Sequence, residues 1–327
     1  MPETEVANKI LKSSICTLYE GDYHLGVSAL VNSLVNAGFS GTIWIGYRGE
    51  LPPWLNQLQE VDKETHRYSV SGRAALVFVS IETEMHFTNY KPQFMLDILN
   101  HHDVECDYLW YFDPDIYLFT NPGAGFYCPW SFYEKWSRYG IAVCQDMLYQ
   151  VMPECDLLRQ QWREIILSNQ MQVRRSLVQH YNGGMIGVPR ASAGYLNTWK
   201  SYIEYAGGEG YEIDGFLEGS RIDPMHAVDQ DAMNIALMCT EYPFASMGPE
   251  AMGFIQGGFT MFHAVINKPW KYRFVRNALS GNPPVSAVKE FFNHVSAPIQ
   301  SYGSLALKWK LFECKLAGFI GRFYARR

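Results

Sequence analysis

Short apolar runs alternate with helix-spaced stretches from the start of the chain. Ser14–Leu18 is an apolar run of strand length, and Tyr19-Glu20-Gly21-Asp22-Tyr23 reads as a turn. Leu25, Ala29, Leu30 and Leu34 then recur at helical spacing up to Ala37, and Gly38 is a natural stop. Thr42–Gly46 is a second strand, so strand, helix, strand opens the chain in the manner of a parallel α/β sheet. Pro52-Pro53 breaks the pattern and residues 54–72 are polar and mixed. Ala74–Val79 is a further strand, and Thr88–Asn100 is a helix with Phe94, Met95, Ile98 and Leu99 on one face.

The most distinctive stretch follows. Tyr108–Phe112 is an aromatic strand ending in Asp113-Pro114-Asp115. A second apolar run, Ile116–Phe119, leads to the breaker Asn121-Pro122-Gly123. Ile141–Cys144 predicts a strand and Glu154–Ser168 a helix. Tyr181-Asn182-Gly183-Gly184 reads as a turn before the strand Met185–Val188, with glycines that let the backbone approach a neighbour closely. Residues 206–224 are Gly-rich and polar, a long irregular loop of the kind used as lids or acceptor-site loops. Asp229-Gln230-Asp231-Ala232-Met233-Asn234 opens an apolar helix, and Gly257–His263 is a strand ending in histidine before Lys268-Pro269-Trp270. Leu305–Tyr324 is a basic amphipathic helix. It either docks on the domain or meets an anionic membrane surface.

Composition narrows the class. The chain has 327 residues, 48% hydrophobic and 18% charged, which is globular rather than disordered. A net charge of −6 argues against a general nucleic-acid binder. Residues 304–327 hold six basic side chains against Glu313 alone, a balance of +5, which leaves −11 for the remainder. Seven cysteines without metal-type spacing, behind an acidic N-terminus unlike a signal peptide, predict reduced thiols in a cytoplasmic protein. No apolar run reaches the ~18 residues a membrane span needs.

Two carboxylates one residue apart at the end of a buried strand repel unless a cation lies between them. Asp113 and Asp115 therefore form a candidate site for Mg²⁺ or Mn²⁺, cations usually shared with substrate phosphates. A plain Asp-Pro-Asp turn is the alternative. Asn182 offers a donor and an acceptor suited to sugar hydroxyls. Lys91 is either a phosphate contact or a solvated helix lysine. Asp22 is either a nucleotide contact or a helix cap. Asp231 is read as a helix-start acid, which leaves Asp229 and Gln230 open to function.

Taken in order, Asp113-Pro114-Asp115, Asn182-Gly183-Gly184, Asp229-Gln230-Asp231 with Asn234, and His263 before Lys268-Pro269-Trp270 resemble the GT-A-fold retaining glycosyltransferases of family eight, which include glycogenin and the bacterial lipopolysaccharide galactosyltransferases. Thr17-Leu18, Asp22-Tyr23 and Thr88-Asn89-Tyr90 are similar to that family's opening strand, turn and helix. The resemblance implies a Rossmann-like α/β fold with a mostly parallel sheet over residues 13–280; residues 285–327 lie beyond it and read from their own pattern as a helical extension. The resemblance also implies Asp113, Asp115 and His263 as ligands of Mn²⁺ or Mg²⁺, with Lys268 and Lys91 near the phosphates. Asn182, Gly183 and Asp229 would lie at the donor sugar, Gln230 beside the anomeric carbon, and Thr17 and Asp22 near the base. The implied reaction moves a hexose, with retention, from a UDP-sugar to a hydroxyl of a glycan or glycolipid. Two departures mark a divergent branch. The His263–Lys268 spacing is one residue shorter than the family's and lacks its glycine, and Pro92 stands where the family often has arginine. Rival readings are a nucleotidyltransferase, for which the Gly-rich basic loop is missing, and a silent nucleotide-sugar-binding protein of the same fold.

Overall fold

A computed structural model describes residues 11–120, 128–147, 151–215, 223–257, 260–265 and 267–323. Asn121-Pro122-Gly123, Gly258, Phe259, the middle of the 206–224 loop and the last four residues lie outside them. The fold is α/β. Contacts divide it into two units, one of residues 1–18, 81–112 and 131–249, the other of residues 19–80, 113–130 and 250–327.

In the first unit the strands lie in the order β10 (Phe244–Met247), β8 (Ile141–Gln145), β9 (Tyr181–Pro189), β6 (Tyr108–Phe112) and β1 (Ser13–Glu20, shared at its end with the second unit). β1 pairs in parallel with β6, and β10 with β8, while β9 runs antiparallel to both its neighbours. β6 is buried at every position, which explains why its sequence is continuous rather than alternating. Its Trp110 lies 5.6 Å from Tyr133 and 5.7 Å from Trp136 on α3 (Trp130–Trp136). The helices α2 (Phe87–Asp97), α4 (Leu157–Ser168), α5 (Ala193–Gly208) and α6 (Val228–Cys239) complete the unit.

Asn182-Gly183-Gly184 is not a turn. It lies inside β9, where the register against β8 jumps from Val143↔Ile186 to Cys144↔Asn182. This bulge lets the strand carry three extra residues, and a Cβ on Gly183 would meet the Asp229 carboxylate at 3.1 Å and Gln230 Cβ at 3.3 Å. The glycine is there because α6 approaches the strand. Helix α5 occupies the start of the region read as an irregular loop from residue 206.

In the second unit the strand order is β2 (Gly41–Arg48), β5 (Ala74–Ser80), β4 (Arg67–Val70) and β3 (Gln59–Asp62). β2 and β5 are parallel, and β3 and β4 form a hairpin within the polar stretch 54–72, where no strand is predicted from pattern. A separate antiparallel ribbon joins β7 (Ile116–Leu118) to β11 (Met261–His263). Helix α1 (His24–Asn36) is buried from Gly26 to Val35, so its polar side chains must find internal partners. Asn32 donates to the carbonyls of His294 and Ile299 at 2.6 and 2.7 Å and accepts from the Ile299 amide at 2.8 Å; Ser33 accepts from the Leu118 amide at 3.0 Å. The C-terminal extension is part of this unit's core. Val288 and Phe291 of α8 (Ser286–Phe291) and Cys314 and Ala317 of α9 (Ser304–Ile320) are buried with Tyr117, Trp270 and Phe274, and α7 (Phe274–Leu279) lies among them.

Candidate active site

The second unit carries the acidic site. Ribbon pairing places His263 opposite Ile116, and the Ala264 amide donates to the Asp115 carbonyl at 3.0 Å. Two residues 148 positions apart are thus locked side by side. His263 Nε2 lies 3.4 Å from Asp115 Oδ1 and 3.8 Å from Asp113 Oδ2. One ligand atom from each of the three residues falls within 4.8 Å of the others. Asp115 and His263 are buried and Asp113 is partly exposed, so the cluster opens through Asp113.

Lys268 completes the arrangement by donating to Asp115 Oδ2 and to the carbonyls of Val265 and Ala264 at 2.9 and 3.2 Å. Burial alone would push the Asp115 carboxyl up. The neighbouring His263 and Lys268 outweigh it and hold Asp115 well below the usual carboxylate range. Burial likewise works against the Lys268 charge, but Asp115 and, more weakly, Tyr23 and Asp113 hold the ammonium above its ordinary value.

The turn between the two aspartates is sterically fixed. A Cβ on Gly26 would come within 2.2 Å of the Pro114 carbonyl and 2.8 Å of the Trp270 ring. Trp270 meets Tyr23 edge-on at 5.2 Å, and Lys271 both lies 5.2 Å over the Tyr23 ring and pairs with Asp22 at 3.2 Å. Asp22 makes no helix cap, since the residue preceding α1 is Tyr23 and no side chain caps there.

The first unit holds a second, neutralised cluster. Lys91 is 1% exposed, so it is neither a solvated helix lysine nor an accessible phosphate contact. Its ammonium donates to Asp229 Oδ2 at 2.8 Å and to the Gly183 carbonyl at 3.0 Å, 5.3 Å from the centre of the Tyr111 ring. Gln230 Oε1 accepts from the Gly183 amide at 2.8 Å. Asn182 accepts from the Gly184 amide at 2.9 Å and donates to Asp146 at 2.7 Å. Asn234 brackets Tyr181, accepting from its amide at 2.9 Å and donating to its carbonyl at 2.8 Å. Asp231 accepts from the Ala227 amide at 2.9 Å, as a helix-start acid should, and lies 3.4 Å from His180 Nε2; burial pushes its carboxyl up against the pull of His180. Thr17 is fully buried on β1.

Asp146, His180 and Trp199, whose indole donates to the Asp229 carbonyl at 2.8 Å, are absent from the residues chosen by sequence. A signal existed for Asp146 alone: it is an acid just past the end of a buried strand, β8, as Asp113 is past β6.

No family model and no curated protein matches the chain. Solved structures do. The chain is similar to the apo structure of WbbM, a bifunctional glycosyltransferase, with 11% identity, a TM-score of 0.53, and coverage of 92% of this chain and 52% of that one. It is also similar to the glycosyltransferase GlyE of Streptococcus pneumoniae TIGR4, with 11% identity, a TM-score of 0.50, and coverage of 95% and 64%. The fold is a glycosyltransferase fold. The chain spans about half the length of the first neighbour and under two thirds of the second.

The donor set of this glycosyltransferase-fold chain fits a divalent cation. Two carboxylate oxygens and an imidazole nitrogen, one from each residue, lie close enough to converge on a single ion. The site already draws in a cationic side chain, Lys268.

Proposed function

We propose that the chain is a metal-dependent glycosyltransferase that moves a hexose from a nucleotide-sugar, a UDP-sugar, to a hydroxyl of a glycan or glycolipid, with retention. The observation that carries the reading is the Asp113, Asp115 and His263 cluster on a glycosyltransferase fold. A cation bound there supplies Lewis-acid neutralisation of the donor's diphosphate as it leaves. Asp113, Asp115 and His263 hold that cation, and Lys268 adds a second positive charge for the phosphates. Asp22 stands on the base side, whereas Thr17, fully buried on β1, serves that side by packing and not by contact.

The polar cluster of the first unit serves the sugar. Asn182, Gly183 and Asp229 hold donor hydroxyls and Gln230 lies beside the anomeric carbon. Lys91 acts through Asp229 as a positioning residue, because its own ammonium is buried on that carboxylate. A carboxylate already neutralised by a buried lysine is a weak nucleophile, which supports a route in which the departing diphosphate receives the acceptor's proton.

Calorimetric titration of UDP and a panel of UDP-sugars, with Mn²⁺ and then with EDTA, tests this. Metal-dependent binding that disappears in Asp115→Ala, together with turnover of one UDP-sugar, is expected. Binding without turnover of any acceptor tried would favour the silent-fold rival. Metal-independent binding would remove the proposed role of Asp113, Asp115 and His263.

A further inference from the structure

Helix α9 has two apolar faces, and only one is used inside the protein. Leu307, Leu311, Cys314, Ala317 and Ile320 turn toward the core of the second unit. On the opposite side Leu305, Trp309, Phe312, Leu316, Phe319 and Phe323 are exposed, from 37% at Leu316 to 83% at Leu305. Docking of the helix and an open apolar surface are therefore not alternatives.

The open face has a strict repeat. Leu305, Lys308 and Trp309 recur as Phe312, Lys315 and Leu316, and again as Phe319, Arg322 and Phe323, seven residues apart each time. At 100° per residue the five apolar positions within α9 form one stripe with Lys308 and Lys315 along one edge, and the turn just past the helix adds Phe323 and Arg322; all three cations are exposed. The stripe runs about 25 Å along α9. No helix among the described residues is long and apolar enough to cross a membrane.

We propose that this face docks on an anionic membrane surface, lying in the interface with its aromatic side chains among the headgroups and its cations on acidic lipids. Three observations favour that occupant over a second copy of the chain. Four of the six stripe residues are aromatic, which suits a headgroup boundary better than the close packing of paired helices. An antiparallel pair would set the three cations against three cations. A parallel pair would offer them Ala306, Glu313 and Ile320, a single opposite charge. The charge of the whole chain also orients the contact. Residues 304–327 carry +5 and the remainder −11, so an acidic surface attracts this segment and repels the rest. The inference is independent of the catalytic reading, since vesicle binding needs neither metal nor donor.

Co-sedimentation of the full chain with phosphatidylcholine vesicles, and with vesicles containing phosphatidylglycerol, tests it. Binding to the acidic vesicles alone, weakened by salt, is expected. The charge reversals Lys308→Glu, Lys315→Glu and Arg322→Glu together lower it by roughly a hundredfold, since each cation near the surface is worth about fivefold. Trp309→Ser with Phe319→Ser lowers it by at least about tenfold. Thermal melts of both variants match the parent, because all five side chains are exposed. A variant that melts early is replaced by Lys315→Gln, which keeps the aromatics and removes one charge. No binding to acidic vesicles overturns the proposal, as does equal binding by parent and variants. So does a concentration-dependent dimer that the Trp309 and Phe319 changes abolish, which would assign the face to a second copy.

Discussion

Lys268 rests its ammonium on the carboxylate of Asp115, the more buried of the two aspartates in the acidic site. An internal cation thus occupies one oxygen of a proposed metal ligand. Replacing Lys268 with Met removes the competitor. Affinity for Mn²⁺ without nucleotide should rise, by about tenfold if one charge-assisted hydrogen bond of roughly 1.5 kcal/mol is given up on metal binding. UDP affinity in saturating Mn²⁺ should fall, because a phosphate contact is lost. Electron paramagnetic resonance of free Mn²⁺ reads the first effect and calorimetry the second. Movement of both in one direction would separate Lys268 from the metal site.

The Lys91–Asp229 pair gives a prediction about stability. Both side chains are buried, at 2% and 6% exposure. Lys91→Met leaves the Asp229 carboxylate without its counter-charge and should cost about 3–5 kcal/mol in urea unfolding. Lys91→Met with Asp229→Asn should recover much of that loss. Equal destabilisation by the single and double variants would show that the lysine acts by packing alone.

Gly26 gives a prediction about the turn. Alanine there drives a Cβ into the Pro114 carbonyl and the Trp270 ring. The expected cost is about 1–3 kcal/mol, as for overpacking elsewhere. Because Pro114 separates Asp113 from Asp115, weaker Mn²⁺ binding should accompany the lower melting temperature. A variant that loses stability but keeps full metal affinity would show that the turn adjusts without disturbing the ligands.

Thiol labelling checks the burial pattern. All seven cysteines are free thiols and Cys155 alone is exposed. Burial pushes the Cys128 thiol up to about 12, which leaves almost no thiolate at neutral pH. Iodoacetamide under native conditions should label Cys155 within minutes and Cys128 only after denaturation, as read by peptide mass spectrometry.

The sequence by itself determined the strands that need no partner to be recognised. β1, β2, β5, β6 and β8 are apolar runs bounded by breakers, and both faces of such strands are buried, so local composition is enough. It also determined the chemistry of Asp113 and Asp115, since two carboxylates two positions apart carry their repulsion wherever the chain places them. His263 was legible as a strand-end histidine. Its place beside Asp115 was expected only through the family resemblance, because it depends on the β7–β11 ribbon, which pairs His263 with Ile116 across the chain.

Tertiary structure decided the rest. Asn182-Gly183-Gly184 has the composition of a turn, but the close approach of α6 makes it a bulged strand. Lys91 reads as a surface lysine in a helix, and only the arrival of Asp229 and the Gly183 carbonyl allows its charge to be buried. In the short hairpin β3–β4, β3 is mostly exposed and β4 alternates over four residues only, burying Tyr68 and Val70, which is too short a pattern to announce a strand. On α9 the sequence supplied an amphipathic helix, whereas the packing of Cys314 and Ala317 fixed which apolar side turns inward and left Trp309 and Phe312 outside. Local runs of side chains set what each segment can bury, and contacts between distant segments set what it does bury.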